Sequence, residues 1–237
     1  MLEKNSAKFD LPACQNQLSS QPKNMEVIDL THIIEENMPA YPGEESPHLE
    51  NKYNYQRDGF QVIKLTMFTH SGTHLDTPAH FFDNGLTTDK LPLSDFYGKG
   101  ILVDCSGFSE QEIIDVEHVK MYSEELAAAD FALIYTGWSD HWGSDRYFGN
   151  FPVLSKEACS FLLSCNLKGI GLDVISIDSI SSKDFENHNL VLSNGLIIIE
   201  NLTNLVRLIN KAFDFAVFPL KIKDGDGSPV RAAAILK

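Results

Sequence analysis

The sequence predicts an α/β or α+β fold, a single compact domain whose mixed, strand-rich sheet is flanked by helices. Strand candidates outnumber helix candidates, and several strands, such as Phe131-Ala132-Leu133-Ile134-Tyr135 and Leu196-Ile197-Ile198-Ile199, are continuous apolar runs. A strand without polar alternation has no face to give to water, so helices or another sheet must cover both sides of the sheet it joins. With 237 residues, 43% of them hydrophobic, the chain holds enough material for one large core.

Residues 1–24 are rich in Asn, Gln, Ser and Lys with no sustained apolar period, which predicts a flexible N-terminal extension. The folded domain is expected over residues 25–237, opening with the strand-like Val27-Ile28-Asp29-Leu30. Further strands are predicted over Gln61 to Thr69, Ile101 to Asp104, Phe131 to Tyr135, Gly169 to Val174, Leu196 to Glu200, Phe215 to Leu220 and Arg231 to Leu236. Ser123-Glu124-Glu125 opens one helix with a capping serine and an acidic first turn. Ser155-Lys156-Glu157-Ala158 opens a second, which carries Phe161, Leu162 and Cys165 inward, and Leu202 to Lys211 is a third candidate. The run Asp224-Gly225-Asp226-Gly227-Ser228-Pro229 reads as a loop before the last strand, without the spacing of a calcium-binding EF-hand.

Nineteen basic residues against 33 acidic ones give a formal net charge of −14. Phosphate backbones and anionic membranes would be repelled, so nucleic acid and membrane are excluded as partners in favour of a small molecule. The four cysteines, Cys14, Cys105, Cys159 and Cys165, include no Cys-x-x-Cys pair, and the apolar runs are too short to span a bilayer. A reducing cytoplasm is the expected location.

The chemistry is concentrated in His70-Ser71-Gly72-Thr73-His74-Leu75-Asp76-Thr77-Pro78-Ala79-His80, three imidazoles and a carboxylate within eleven residues. Imidazole nitrogen and carboxylate oxygen suit borderline divalent cations, zinc first and manganese second. Gly72 and Pro78 oppose a regular helix, so the segment reads as a strand end passing into a turn. His74 and Asp76, two apart, then point to one side, and a bend at Gly72 brings His70 alongside. His80, beyond Pro78, is placed to act as a general base near neutral pH.

Glu200 ends the apolar run Leu196 to Ile199, and a carboxylate at a buried strand end needs a cation or a donor. His188, in the polar stretch Glu186-Asn187-His188-Asn189, would by itself be read as exposed. Trp138, Trp142, Tyr147 and Phe148 lie in a glycine-punctuated stretch and either line an aryl pocket, form a contact with another copy or make a local hydrophobic cluster, with Phe60, Phe81 and Phe82 as further pocket candidates. His141 has no obvious partner and is expected to be exposed. Asp173, Ser176 and Asp178 lie at or just beyond the end of a buried strand and either support the site or cap a turn. No Gly-x-Ser-x-Gly elbow or Cys-His pair is present, which disfavours covalent catalysis.

The pattern His-x-Gly-Thr-His-x-Asp-x-Pro-x-His resembles the signature of the cyclase family of metal-dependent hydrolases, which includes bacterial kynurenine formamidase and isatin hydrolase. Asp29-Leu30-Thr31, Met38-Pro39-Ala40-Tyr41-Pro42-Gly43, Gly149-Asn150-Phe151-Pro152-Val153-Leu154-Ser155 and His188-Asn189-Leu190-Val191-Leu192 extend the likeness over roughly Glu26 to Lys237. The resemblance implies a sheet core of the family type, with His70, His74, Asp76, His188 and Glu200 as ligands of one or two divalent ions per subunit and His80 as the catalytic base. It further implies a homo-oligomer, dimer or tetramer. The reaction implied is hydrolysis of an aryl formamide such as N-formylkynurenine, a step of tryptophan catabolism. A metal-activated water attacks the formyl carbonyl, and formate and the free amine leave. Lactam hydrolysis of the isatin kind, or hydrolysis of another small amide or ester, needs the same groups. A reading of a different class is a metal-containing binding protein without catalysis, against which an intact His80 argues.

Overall fold

The computed structural model describes residues 25–237, so the extension expected over residues 1–24 lies outside the described residues. The strands are β1 (Val27–Asp29), β2 (His48–Tyr53), β3 (Val62–Thr66), β4 (His74–Asp76), β5 (Tyr97–Asp104), β6 (Ile113–Ile114), β7 (Phe131–Tyr135), β8 (Val153–Leu154), β9 (Gly169–Leu172), β10 (Ile197–Glu200), β11 (Phe213–Ala216), β12 (Gly227–Pro229) and β13 (Ala233–Leu236). The helices are short: α1 (Tyr55–Asp58), α2 (Val116–Lys120), α3 (Ser123–Leu126), α4 (Lys156–Ser164) and α5 (Glu186–Ser193). No helix among the described residues is long and apolar enough to cross a membrane.

Nine strands form one mixed sheet in the order β1-β13-β11-β5-β7-β9-β10-β4-β12. Its centre, β5-β7-β9-β10, is parallel, and antiparallel strands extend it on either side. Alternation along the apolar runs feeds two separate cores. Ala132, Ile134, Ile170 and Ile198 face Ala158, Cys159, Leu162, Val191 and Leu192 of α4 and α5, whereas Phe131, Leu133, Ile197 and Ile199 face Ile28, Phe213, Phe215 and Ala234 of the antiparallel strands. Helices therefore cover one face, and the curled sheet covers the other with its own strands.

Several expected elements change shape. The strand expected over Gln61 to Thr69 shortens to β3 and pairs only with β2, in a hairpin outside the main sheet. The expected Gly169 to Val174, Leu196 to Glu200 and Arg231 to Leu236 strands shorten to β9, β10 and β13, and the Phe215 to Leu220 strand shifts back to β11. Ser155 caps α4 as expected, its side chain accepting from the Ala158 N–H at 3.0 Å. Ser123 is the first residue of α3 rather than its cap, and α3 is one turn long. The helix expected over Leu202 to Lys211 is only a 3-10 turn, Leu205–Leu208, because Asn201, Asn204 and Asn210 all take left-handed backbone angles that an α-helix does not allow.

Register places the chemistry. In β4 and β10, Glu200 pairs with His74 and Ile198 with Asp76, so His74, Asp76 and Glu200 share the helix-covered face while Leu75 and Ile199 enter the other core. Leu75 is fully buried between the two site residues. Leu75→Ala is expected to cost about 2–5 kcal/mol, a fall in melting temperature of roughly 5–15 °C by calorimetry.

Candidate metal centre

The strand end expected at His74 to Asp76 turns at Gly72, whose backbone is left-handed at φ +66° and where a Cβ would lie 2.9 Å from Met38 Cε. After β4, Pro78 starts a 3-10 turn over Pro78–His80 that brings His80 back beside His70, ring centroids 3.9 Å apart. His70, His74, Asp76, His80, His188 and Glu200 border one cavity of about 290 Å³, together with Phe81, Phe185, Tyr41 and Glu44. The six residues singled out from the sequence thus converge.

The arrangement is short of hydrogen. His74 Nδ1 lies 2.8 Å from the Gly72 carbonyl, which only accepts, so Nδ1 carries the proton. Its Nε2 lone pair then faces Asp76 Oδ1 at 3.3 Å and Glu200 Oε2 at 3.6 Å. His188 repeats the pattern: Nδ1 donates to Asp178 Oδ2 at 2.7 Å, and Nε2 faces Glu200 Oε1 at 3.4 Å and Asp76 Oδ2 at 3.7 Å. Asp76 Oδ2 is a buried atom without a hydrogen-bond partner. Asp76 is 1% exposed and Glu200 4%, and burying two carboxylates costs several kcal/mol each unless positive charge compensates. Two imidazole lone pairs and two carboxylates aimed at one another fit a divalent cation.

Without one, protons gather there. Burial would depress the pKa of His188, but the carboxylates of Asp178, Glu200 and Asp76 hold it up to about 10. His70 behaves alike: burial opposes its charge, but Asp76 and Asp226 hold it up to about 10, with Nδ1 2.6 Å from Asp76 and Nε2 2.9 Å from Asp226. Burial likewise works against the Asp76 anion, yet the neighbouring His70 and His74 keep its pKa well below the usual carboxylate range. His80 goes the other way. Burial pushes it down to about 4, with Asp76 and Asp226 opposing and His70 and His188 reinforcing, so it is a neutral imidazole at the cavity wall.

Two donor sets emerge, His74–Asp76–Glu200 and His70–Asp76–His80, each with ligand atoms within 4.8 Å, and they share Asp76. The second admits His80 as a ligand, where the sequence reading gives it as a base.

Of the supporting groups, Asp178 is among the candidates read from the sequence, and Asp226 and Asn201 are not. Asp178 holds His188 and also accepts the Asn187 and His188 backbone N–H groups at 3.0 Å, satisfying two free donors at the start of α5. His188 is accordingly buried on a helix rather than exposed in a polar stretch. Asp226, read as part of a loop, bonds His70 and accepts from Thr69 Oγ1 at 3.0 Å. Beside it Gly227 leaves room for the His70 ring, which a Cβ would meet at 2.5 Å. Asn201, also missed, donates to the Gly72 carbonyl at 2.9 Å and accepts from Tyr147 Oη at 2.6 Å.

The aromatic expectations need correction. Phe81 lines the cavity, but Trp138 and Trp142 do not. Trp138 is a core residue whose Nε1–H donates to the Tyr147 carbonyl, and Trp142 stacks on His32 at 3.8 Å. Their loop folds into two 3-10 turns that set Tyr147 beneath Asn201, so it supports the site from behind. Phe60 lies on the exposed hairpin side against Tyr53, and Phe82 packs on the core. His141 is half-buried, edge-on to Trp138. Asp173 serves the same loop, accepting from Thr136 and Gly137.

The chain resembles several known proteins over most of its length. The profile of a family described as putative cyclase matches residues 28–179, which includes the His70 to His80 segment but stops before His188, Glu200 and Asp226. An uncharacterized protein of Methanocaldococcus jannaschii is 37% identical over 90% of this chain and 100% of its own length. A kynurenine formamidase of Bacillus cereus is 29% identical over 89% of this chain and 97% of its own. The solved structure of isatin hydrolase A from Labrenzia aggregata superposes with a TM-score of 0.81 at 26% identity, covering 89% of this chain and 93% of that one.

Asp178→Ala removes the acceptor of His188 Nδ1–H and two helix-start bonds. Divalent-cation affinity, measured by competition with a chelating dye, is expected to fall about ten- to a hundredfold.

Proposed function

The chain belongs to the cyclase family, and from that premise we propose that it hydrolyses a small aryl formamide, of the N-formylkynurenine kind, to formate and the free amine. At the coarser level it is a metal-dependent hydrolase of C–N bonds outside peptides. The observation that supports the finer reading is the meeting of a cation-demanding cluster with His80 and an aromatic wall in one small cavity.

A divalent cation bound by His70, His74, Asp76, His188 and Glu200 would lower the pKa of water and polarise a carbonyl. His80, neutral and 31% exposed at the side chain, takes the proton of the attacking water and passes it to the departing nitrogen. Phe81 and Phe185, centroids 5.6 Å apart and edge to face, offer an aryl ring its apolar wall. The shared Asp76 supports two ions per subunit rather than one, and the mixed nitrogen and oxygen donors favour zinc, then manganese.

A neutral lactam such as isatin would use the same groups, and the likeness to isatin hydrolase A favours it as the second reading. A homo-oligomer, dimer or tetramer, is supported by β3 and the segment after it, where Val62, Ile63, Leu65 and Phe68 are each more than 40% exposed. A reducing cytoplasm is supported by Cys105, Cys159 and Cys165, all free thiols.

Elemental analysis with parallel assays on N-formylkynurenine, formanilide and isatin tests the reading. Metal should co-purify, and formamide turnover should exceed lactam turnover; a loaded protein inert on all three refutes the proposal. His80→Ala should lower kcat about 10²–10⁴-fold with metal content unchanged. Loss of metal in that variant would make His80 a ligand instead.

A further inference from the structure

The cavity that holds the cluster has an outer wall with chemistry of its own. Among the described residues its lining includes no lysine or arginine; apart from the inner histidines and acids, its charged member is Glu44. The segment Pro39–Glu44 turns back on itself, the Glu44 N–H donating to the Tyr41 carbonyl at 2.9 Å. The same turn forms one side of an adjoining open groove, whose other side includes Gly143, Ser144, Asp145 and Phe148. Among the described residues that groove also has no basic side chain in its lining, and it adds Asp145. Arg146, next in sequence, is held by Glu110 and lies over the Trp138 ring at 5.6 Å.

Inside, Asp76 and Glu200 are occupied by histidines and by the cation they would bind, and Asp178 by His188. Glu44 is different. It is exposed, and among the described residues it takes part in no ion pair and no side-chain hydrogen bond. Tyr41 lines both the cavity and the groove, and burial, then the charges of Glu200, Asp178 and Glu44, raise the pKa of its phenol.

Resting on the reading of the chain as an aryl-amide hydrolase, we propose that Glu44 is a specificity-determining residue that selects substrates whose ring bears an ammonium group or no charge, and disfavours those bearing a carboxylate. A substrate seated with its carbonyl at the cluster and its ring against Phe81 and Phe185 sends its remaining substituent towards the Pro39–Glu44 turn. An ammonium there gains an unpartnered carboxylate, and an uncharged ring loses nothing. A carboxylate meets like charge and finds no basic side chain to answer it, in a chain whose overall charge is already −14. N-formylated arylamines that carry an ammonium group or no charge are therefore preferred over those whose only charge is a carboxylate. A zwitterionic amino-acid formamide is accepted through its ammonium end.

The test compares three formanilides that differ only in one ring substituent: aminomethyl, methyl and carboxymethyl. For the metal-loaded enzyme, kcat/KM should fall in that order, with the cationic substrate about tenfold better than the anionic one. The difference should reside in KM and shrink with added salt. Glu44→Gln should bring the cation-to-anion ratio close to one, and Glu44→Lys should invert it, with circular dichroism and metal content confirming an intact protein in each. Equal or faster hydrolysis of the carboxymethyl substrate, or a ratio untouched by Glu44→Gln, overturns the proposal. Calorimetric binding of the same three compounds separates it from the functional reading. Preferential binding of the cation, lost in Glu44→Gln, would uphold the charge selection even if none of the three were turned over, an outcome that would count against formamide hydrolysis alone.

Discussion

The structure depends on one electrostatic constraint: Asp76 and Glu200 are buried carboxylates that His74 and His188 face with Nε2 atoms whose rings have placed their hydrogen elsewhere, while His70 Nδ1 reaches Asp76 at 2.6 Å. Histidine ordinarily neutralises a buried acid by donating a proton, and His74 and His188 have already committed theirs, one to the Gly72 carbonyl and one to Asp178. What remains between the four side chains is a region of converging lone pairs, with Asp76 Oδ2 left unpartnered. Protons relieve that imbalance only by forcing histidines to remain charged while buried, and a divalent cation relieves it directly.

Much of the fold serves to hold this unfavourable group of side chains in place. Pairing of Glu200 with His74 across β4 and β10 fixes the acid and the imidazole on one face, and the Ile177 N–H, 2.8 Å from Glu200 Oε1, fixes the carboxylate's rotation. Asp178 ties helix α5 to the cluster through the same oxygen that orients His188, so helix start and ligand orientation are one feature. Asn201 joins the end of β10 to the turn at Gly72 and, through Tyr147, to the aromatic loop. Removing any of these loosens ligand geometry rather than deleting a ligand, a distinction that binding measurements resolve and folding measurements do not.

The central parallel strands were legible because their apolar runs have a direct physical cause, burial on both faces. The His70 to His80 segment was legible because glycine and proline leave few ways for its side chains to point. Position along the chain hid the rest. His188 looked exposed because its neighbours are polar, but a helix turns Asn187, His188, Val191 and Leu192 inward and Glu186 outward. Asp226 carried no local sign of its role, since the strand pairing that sets Gly227 against Asp76 joins segments about 150 residues apart. Trp138 and Trp142 looked like a binding surface because aromatic residues among glycines suggest an open loop. Hydrogen bonds from Trp138 Nε1 and to Asp173 close that loop onto the core. The asparagines at 201, 204 and 210 offered a usable signal against the third helix, because asparagine tolerates the left-handed backbone that ends helices.

The most direct measurement is a crystal structure recorded on both sides of the zinc or manganese absorption edge. An anomalous peak is expected between His74, Asp76, His188 and Glu200, with Asp76 Oδ2 among its ligands. A protein crystallised with excess cation that shows no such peak, and in which His74 and His188 donate hydrogen bonds to Asp76 and Glu200, would contradict it.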